Sequence, residues 1–150
     1  MKKRPIVLIA AMFILLPLLS SCSGGGPDEE SIEIITERFF AQQVGNVLQN
    51  LDTYTGRTFQ IEGMFWGWGD GTPGADTYYF VIRHLSACCE GGGTIGFELY
   101  MGDFEPFEDN AWVHVTGVLE IRHGWQPNNP VLVVTAIEEL PFRGAETVSS

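Results

Sequence analysis

Phe59-Gln60-Ile61-Glu62-Gly63-Met64-Phe65 sets Phe59, Ile61 and Phe65 at alternating positions, with Gln60, Glu62 and Met64 between them. Successive side chains of a strand point to opposite faces, so this spacing reads as a strand with one face in a core. Moving outward, the same period recurs at Tyr78, Phe80 and Ile82, at Ile95, Phe97 and Leu99, at Val113, Val115, Leu119 and Ile121, and across 131–137. Five strand signals separated by Gly-rich turns, with no helix alternating between them, predict a mainly β protein: a five-stranded OB-like antiparallel barrel. An SH3-like barrel or a small sandwich would give similar signals. Gly63 and Gly117 interrupt two strands, where a bulge or tight bend would let a strand curve round a small barrel.

Before the barrel, residues 31–51 read as one amphipathic α-helix. Phe40, Val44, Val47, Leu48 and Leu51 share a face, and Asp28, Glu29 and Glu30 lie near the start, where the helix dipole favours them. Gly45 weakens the helix, which is expected to pack on the barrel or lie across its end. After Pro141, residues 142–150 read as a frayed tail.

The N-terminus has a different character. Lys2, Lys3 and Arg4 precede an unbroken apolar run over 6–19, and Ser20 and Ser21 lead into Cys22. A basic cap, an apolar run shorter than the ~20 residues of a membrane-spanning helix, and small residues form a signal peptide. The tetrapeptide Leu19-Ser20-Ser21-Cys22 resembles the lipobox of bacterial lipoproteins, which implies cleavage before Cys22 and lipid on its thiol. Two or more acyl chains hold a domain firmly where one chain would be marginal. The resulting organisation is a signal peptide over 1–21, a lipidated cysteine and flexible tether over 22–30, a helix plus barrel over 31–141, and a tail over 142–150. The expected location is the extracytoplasmic face of the cell membrane or outer membrane.

All nineteen Asp and Glu residues follow the signal, whereas only five of the eight basic residues do, all of them arginine. The mature chain therefore has five positive charges against nineteen negative ones, a balance of −14 with no lysine. Such a domain repels phosphate backbones and anionic lipid surfaces, which argues against nucleic-acid binding.

With Cys22 carrying lipid, Cys88 and Cys89 are the remaining thiols, with Arg83 and His84 just upstream. Three readings stay open: a structural pair, bridged or buried without further role; a thiol or redox pair; and a metal site. Adjacent cysteines can bridge only through a small strained ring, which would be reducible. Alternatively, Cys88, Cys89 and His84 hold a zinc-like metal ion, although zinc sites usually draw four ligands from two separated clusters. Glu90, His114 or His123 could complete such a set only if the fold brings them close.

A second candidate surface lies in the connections 67–76 and 123–130, which flank the usual binding face of an OB-like barrel. Trp66, Trp68 and Trp125 lie in or beside them, suited either to a ligand or to capping the barrel's open end. Asp70 and Asp76, and then Asp103, Glu105, Glu108 and Asp109, form acidic turns without EF-hand spacing and read as solvated. No GxSxG, HExxH or phosphate-binding Gly loop is present, so the chain is not expected to be an enzyme.

Several segments together resemble a known family: Phe39-Phe40-Ala41-Gln42-Gln43, Tyr54-Thr55-Gly56-Arg57, Tyr79-Phe80-Val81-Ile82-Arg83 running into Cys88-Cys89, Gly96-Phe97-Glu98, and Trp112-Val113-His114-Val115-Thr116-Gly117. The chain is similar to uncharacterised bacterial extracytoplasmic proteins with an OB-like domain, an Arg-bearing strand and a Cys-Cys pair. Some relatives accompany predicted membrane permeases, so the resemblance implies a membrane partner of that kind. Relatives often carry an aspartate after the cysteines, where this chain has Glu90-Gly91-Gly92-Gly93.

The expected function is a membrane-anchored, non-enzymatic binding or accessory module for a small ligand, a metal ion or a membrane partner. Arg83, Trp66, Trp68 and Trp125 are its candidate binding residues. The alternatives are thiol–disulfide redox or metal delivery through Cys88-Cys89, and envelope scaffolding.

Overall fold

The structure is a computed structural model, and it describes residues 31–69, 75–86 and 92–149. Residues 1–30, where the signal peptide, lipidated Cys22 and tether are expected, lie outside the described residues, as do Asp70, Cys88, Cys89 and Glu90. Seven strands form one sheet: β1 (Ile32–Ile35), β2 (Thr58–Trp68), β3 (Tyr78–Leu85), β4 (Thr94–Tyr100), β5 (Trp112–Arg122), β6 (Asn129–Glu139) and β7 (Thr147–Val148). Strands β2 to β6 are the five predicted from sequence. They pair in the order β2-β5-β6-β4-β3, and β3 pairs back onto β2, so the sheet closes into a five-strand ring. Four of the ring pairings are antiparallel and the β4–β6 pairing is parallel, a departure from the all-antiparallel expectation.

Closure depends on glycines where strands approach too closely for a side chain. At Gly117 the β5–β6 register shifts by a bulge, and a Cβ there would lie 2.9 Å from the Val133 carbonyl oxygen. At Gly96 in β4 a Cβ would overlap the backbone carbonyl of Val81. The interior is filled by Phe59, Ile61, Phe65, Val81, Phe97, Val113, Val115, Leu119 and Leu132, and burying each of these large side chains contributes about 1.5–3 kcal/mol.

The segment ahead of the barrel differs from the single helix expected over 31–51. Ile32-Glu33-Ile34-Ile35 is β1, parallel to the first half of β2, because β-branched residues favour the extended edge position they are offered. A 3-10 turn (Glu37–Phe39) follows, then α1 (Phe40–Gln49) and the short α2 (Leu51–Tyr54). Phe40, Ala41, Val44 and Val47 form the buried face of α1. Gln43 ties helix to strand: its Oε1 accepts from the Thr36 backbone N–H at 2.8 Å, and its Nε2 donates to the Ile34 carbonyl at 3.1 Å. Among the described residues no helix is long and apolar enough to cross a membrane.

The tail expected to fray docks instead. β7 runs parallel to the end of β3, the Ser86 N–H donates to the Val148 carbonyl at 2.9 Å, and Val148 is buried.

Candidate functional site: an aromatic groove on the barrel wall

A concavity of about 400 Å³ lies on the outer face of β2, β3 and β4, and is lined by Trp66, Trp68, Phe80, Ile82, His84, Thr94 and Trp125. Cross-strand register builds it. Trp66 stands opposite Phe80, Trp68 opposite Tyr78, and His84 opposite Thr94. The β5–β6 loop folds over one end and brings Trp125 edge-on to Trp68, with ring centroids 3.9 Å apart at 82°. Trp66, Trp68 and Trp125 each remain about two-fifths exposed (38%, 47% and 42%). Exposed large aromatic surface gathered in one concavity is a common sign of a binding site.

This geometry corrects the phase of β3. The sequence pattern assigns Tyr78, Phe80 and Ile82 to the core face, but Val81 and Arg83 are the fully buried side chains, and Phe80 and Ile82 line the outer groove. The strand is apolar on both faces because one covers the barrel core and the other lines the groove.

Glu98, which the sequence reading assigned no role, holds the groove's end in place. It is buried on β4, opposite Phe80 and so in the same cross-strand row as Trp66. Its carboxylate accepts from the Trp125 backbone N–H at 3.2 and 3.0 Å and from Asn129 Nδ2. The β5–β6 loop is thus pinned to the sheet by one side chain. A charged residue at an outward strand position normally reads as solvated, so the sequence carries no signal of this clamp.

Arg83 is not part of the groove. As an inward residue of β3 it is 1% exposed, with Nε donating to the Glu62 carbonyl at 3.0 Å and Nη1 to the Ala145 carbonyl at 3.0 Å and to Glu37 Oε2 at 3.3 Å. Its guanidinium lies between the rings of Phe40 and Trp112, 4.7 and 4.8 Å from their centroids. These contacts tie α1, β2 and the docked tail together, and burial draws the guanidinium pKa below its ordinary value.

Glu37 completes the junction by accepting the Ala145 N–H at 2.9 Å, which is the main reason its carboxyl pKa falls below the ordinary 4.5; Arg83 adds to the effect and partial desolvation opposes it. A carboxyl with a depressed folded pKa contributes stability that is full above its unfolded value and is lost as pH falls through the folded value. Glu37→Gln is therefore expected to flatten the decline of stability below about pH 4.5 while changing its pH dependence little near neutrality. Urea unfolding at a series of pH values measures this, and an unchanged acid limb would rule it out.

Among the described residues no group of three or more His, Cys, Asp or Glu could hold a metal ion. His84 lines the groove, whereas His114 pairs with Glu62 at 3.3 Å and lines a separate concavity beside β1. Asp109 is exposed, and its Oδ1 accepts the Gly67 N–H at 2.7 Å, so at this position the solvated acidic turn also makes a structural contact. Cys88 and Cys89 belong to the segment joining β3 to β4 and lie outside the described residues.

Compared with known proteins, residues 24–143 match the family described as the DUF1980 C-terminal domain. No curated protein matches the chain.

Proposed function

The chain belongs to the DUF1980 C-terminal domain family, and from that footing we propose that it is a lipid-anchored, extracytoplasmic binding module whose ligand occupies the aromatic groove. The groove is the observation that carries the reading. Three tryptophans and Phe80 are kept partly open to solvent on the wall of an otherwise well-filled barrel, and a buried carboxylate fixes the loop that closes one end. Packing alone does not require such an arrangement, because indoles that only capped the barrel would bury their faces. The signal peptide and Cys22 supply the anchor, and a permease-type membrane protein is the partner proposed for the loaded module. The module itself carries no catalytic step, and envelope scaffolding without a ligand is the bland alternative.

Two measurements test the proposal. Cys22→Ser is expected to move the protein from the detergent phase to the aqueous phase on cloud-point partition, and to abolish incorporation of a palmitate analogue. Nile red, a neutral apolar reporter, is expected to bind the groove and to lose about tenfold in affinity in the Trp68→Ala/Trp125→Ala variant, as removal of two aromatic walls implies. Retention of Cys22→Ser in the detergent phase would overturn the anchor, and unchanged Nile red binding would overturn the groove.

Thiol–disulfide or metal-delivery chemistry at Cys88-Cys89 is the second reading. It draws support from chain continuity, since His84 and Thr94, on either side of that segment, both line the groove. A two-hydrogen mass gain on reduction, or a metal retained in native mass spectra, would favour it.

A further inference from the structure

We propose that the groove's ligand bears an organic cation of the quaternary or tertiary ammonium class. This rests on the binding reading above and specifies its chemistry.

Aromatic faces carry the negative end of a ring quadrupole and attract a cation held over them, most strongly for Trp. The groove presents Trp66, Trp68, Phe80 and Trp125, with Tyr78 edge-on behind Trp125 at 6.3 Å. Among the described residues no arginine or lysine competes for those faces, and His84 is the basic side chain that lines the groove. The described arginines are engaged elsewhere: Arg83 in the buried junction, Arg57 with Glu33 at 2.7 Å, Arg122 with Glu120 at 2.8 Å, Arg143 with Glu146 at 3.2 Å, and Arg38 over Phe39 at 5.2 Å. Lysine is absent after the signal, and the −14 balance of five arginines against nineteen acidic residues draws cations toward the domain.

Glu98 supplies the local counter-charge. Its hydrogen-bond donors are the neutral Trp125 amide and Asn129 side chain, and among the described residues no Arg or His forms an ion pair with it. It sits next to Phe80 in the cross-strand row of Trp66, beside the aromatic wall and outside the set of side chains that line the groove. Aromatic walls flanked by an unpaired carboxylate favour a bulky, weakly hydrated cation over the alternatives. An anion meets the field of the whole domain, and a saccharide finds few free polar groups beside His84 and Thr94.

The test compares choline with 3,3-dimethyl-1-butanol, its uncharged carbon isostere, using the mature lipoprotein in a neutral polyoxyethylene detergent and following tryptophan emission and calorimetry. Choline is expected to bind about tenfold or more tightly than the isostere, as a desolvated cation–aromatic contact implies. Its affinity is expected to weaken as salt rises, and Glu98→Gln is expected to weaken choline more than the isostere, because both lose the loop anchor at Trp125 but only choline loses the counter-charge. Equal binding of choline and isostere, or binding of diacetylchitobiose without choline, would overturn the cationic class and leave the groove reading standing. Absence of binding by all three together with unchanged Nile red binding in the tryptophan double variant would overturn both.

Discussion

Gly96→Ala is expected to destabilise the barrel by about 3 kcal/mol or more, the upper range for overpacking a fixed core. The reason is positional. A Cβ at Gly96 would overlap the Val81 carbonyl oxygen and press within 2.9 Å of the Ile82 Cα, and these are backbone atoms that no rotamer change can move aside. Relief requires β3 and β4 to separate, and both are ring members, so the closure itself loosens. For a domain of this size the loss corresponds to a melting-point drop of about 10 °C or more. Gly45→Ala is the internal control, because nothing lies within 4 Å of a Cβ placed there, on α1. That substitution should stabilise slightly, since alanine is the better helix former. Calorimetric melting of both variants decides the matter, and a Gly96→Ala protein that melts with the parent would show that the strand contact is not tight.

Arg83→Met is expected to cost about 3 kcal/mol. Methionine keeps much of the volume between Phe40 and Trp112 but leaves the Glu62 and Ala145 carbonyls without their donor and removes the cation from between two rings. Lysine is not a conservative replacement here, because it lacks both the planar face and the fork that reaches two carbonyls. Arg83→Lys should therefore lose about half as much, roughly 1.5 kcal/mol, in urea unfolding. Choline and Nile red affinities of the folded Arg83→Lys protein should stay within about twofold of the parent, since Arg83 faces the other side of the sheet. A large affinity loss with normal stability would return Arg83 to the binding site.

Most of the barrel is legible in the sequence, and the failures have separate physical causes. β2 over 59–62 and β5 over 113–120 alternate between buried and half-buried positions, so their period is unambiguous there. β3 does not alternate, because Tyr78, Phe80 and Ile82 are kept apolar by the groove while Tyr79 and Val81 are kept apolar by the core. With both faces apolar, phase cannot be read from period, and Arg83, the residue that looks outward by charge, is the one buried. β1 reads as part of the helix because Ile32 to Ile35 lies next to a true helical stripe, and the parallel partner in β2 shows that it is extended. The tail is short and polar, and its order depends on Arg83 and the edge of β3, which are remote in sequence. Of the candidate site residues, the three tryptophans and His84 are brought together, Arg83 is taken by the core junction, and Glu98 is added. Cys22, Cys88 and Cys89 fall outside the described residues.

The docked tail also bears on the order of events in synthesis. The Ala145 carbonyl that Arg83 requires and the Val148 side chain that covers the end of β3 lie beyond β6, the last strand of the ring. A chain synthesised N-terminus first has delivered every barrel strand before it delivers the segment that closes over Arg83. Until then Arg83 lacks its Ala145 acceptor and Glu37 its Ala145 donor, so the unsealed barrel is the form that proteases would meet first.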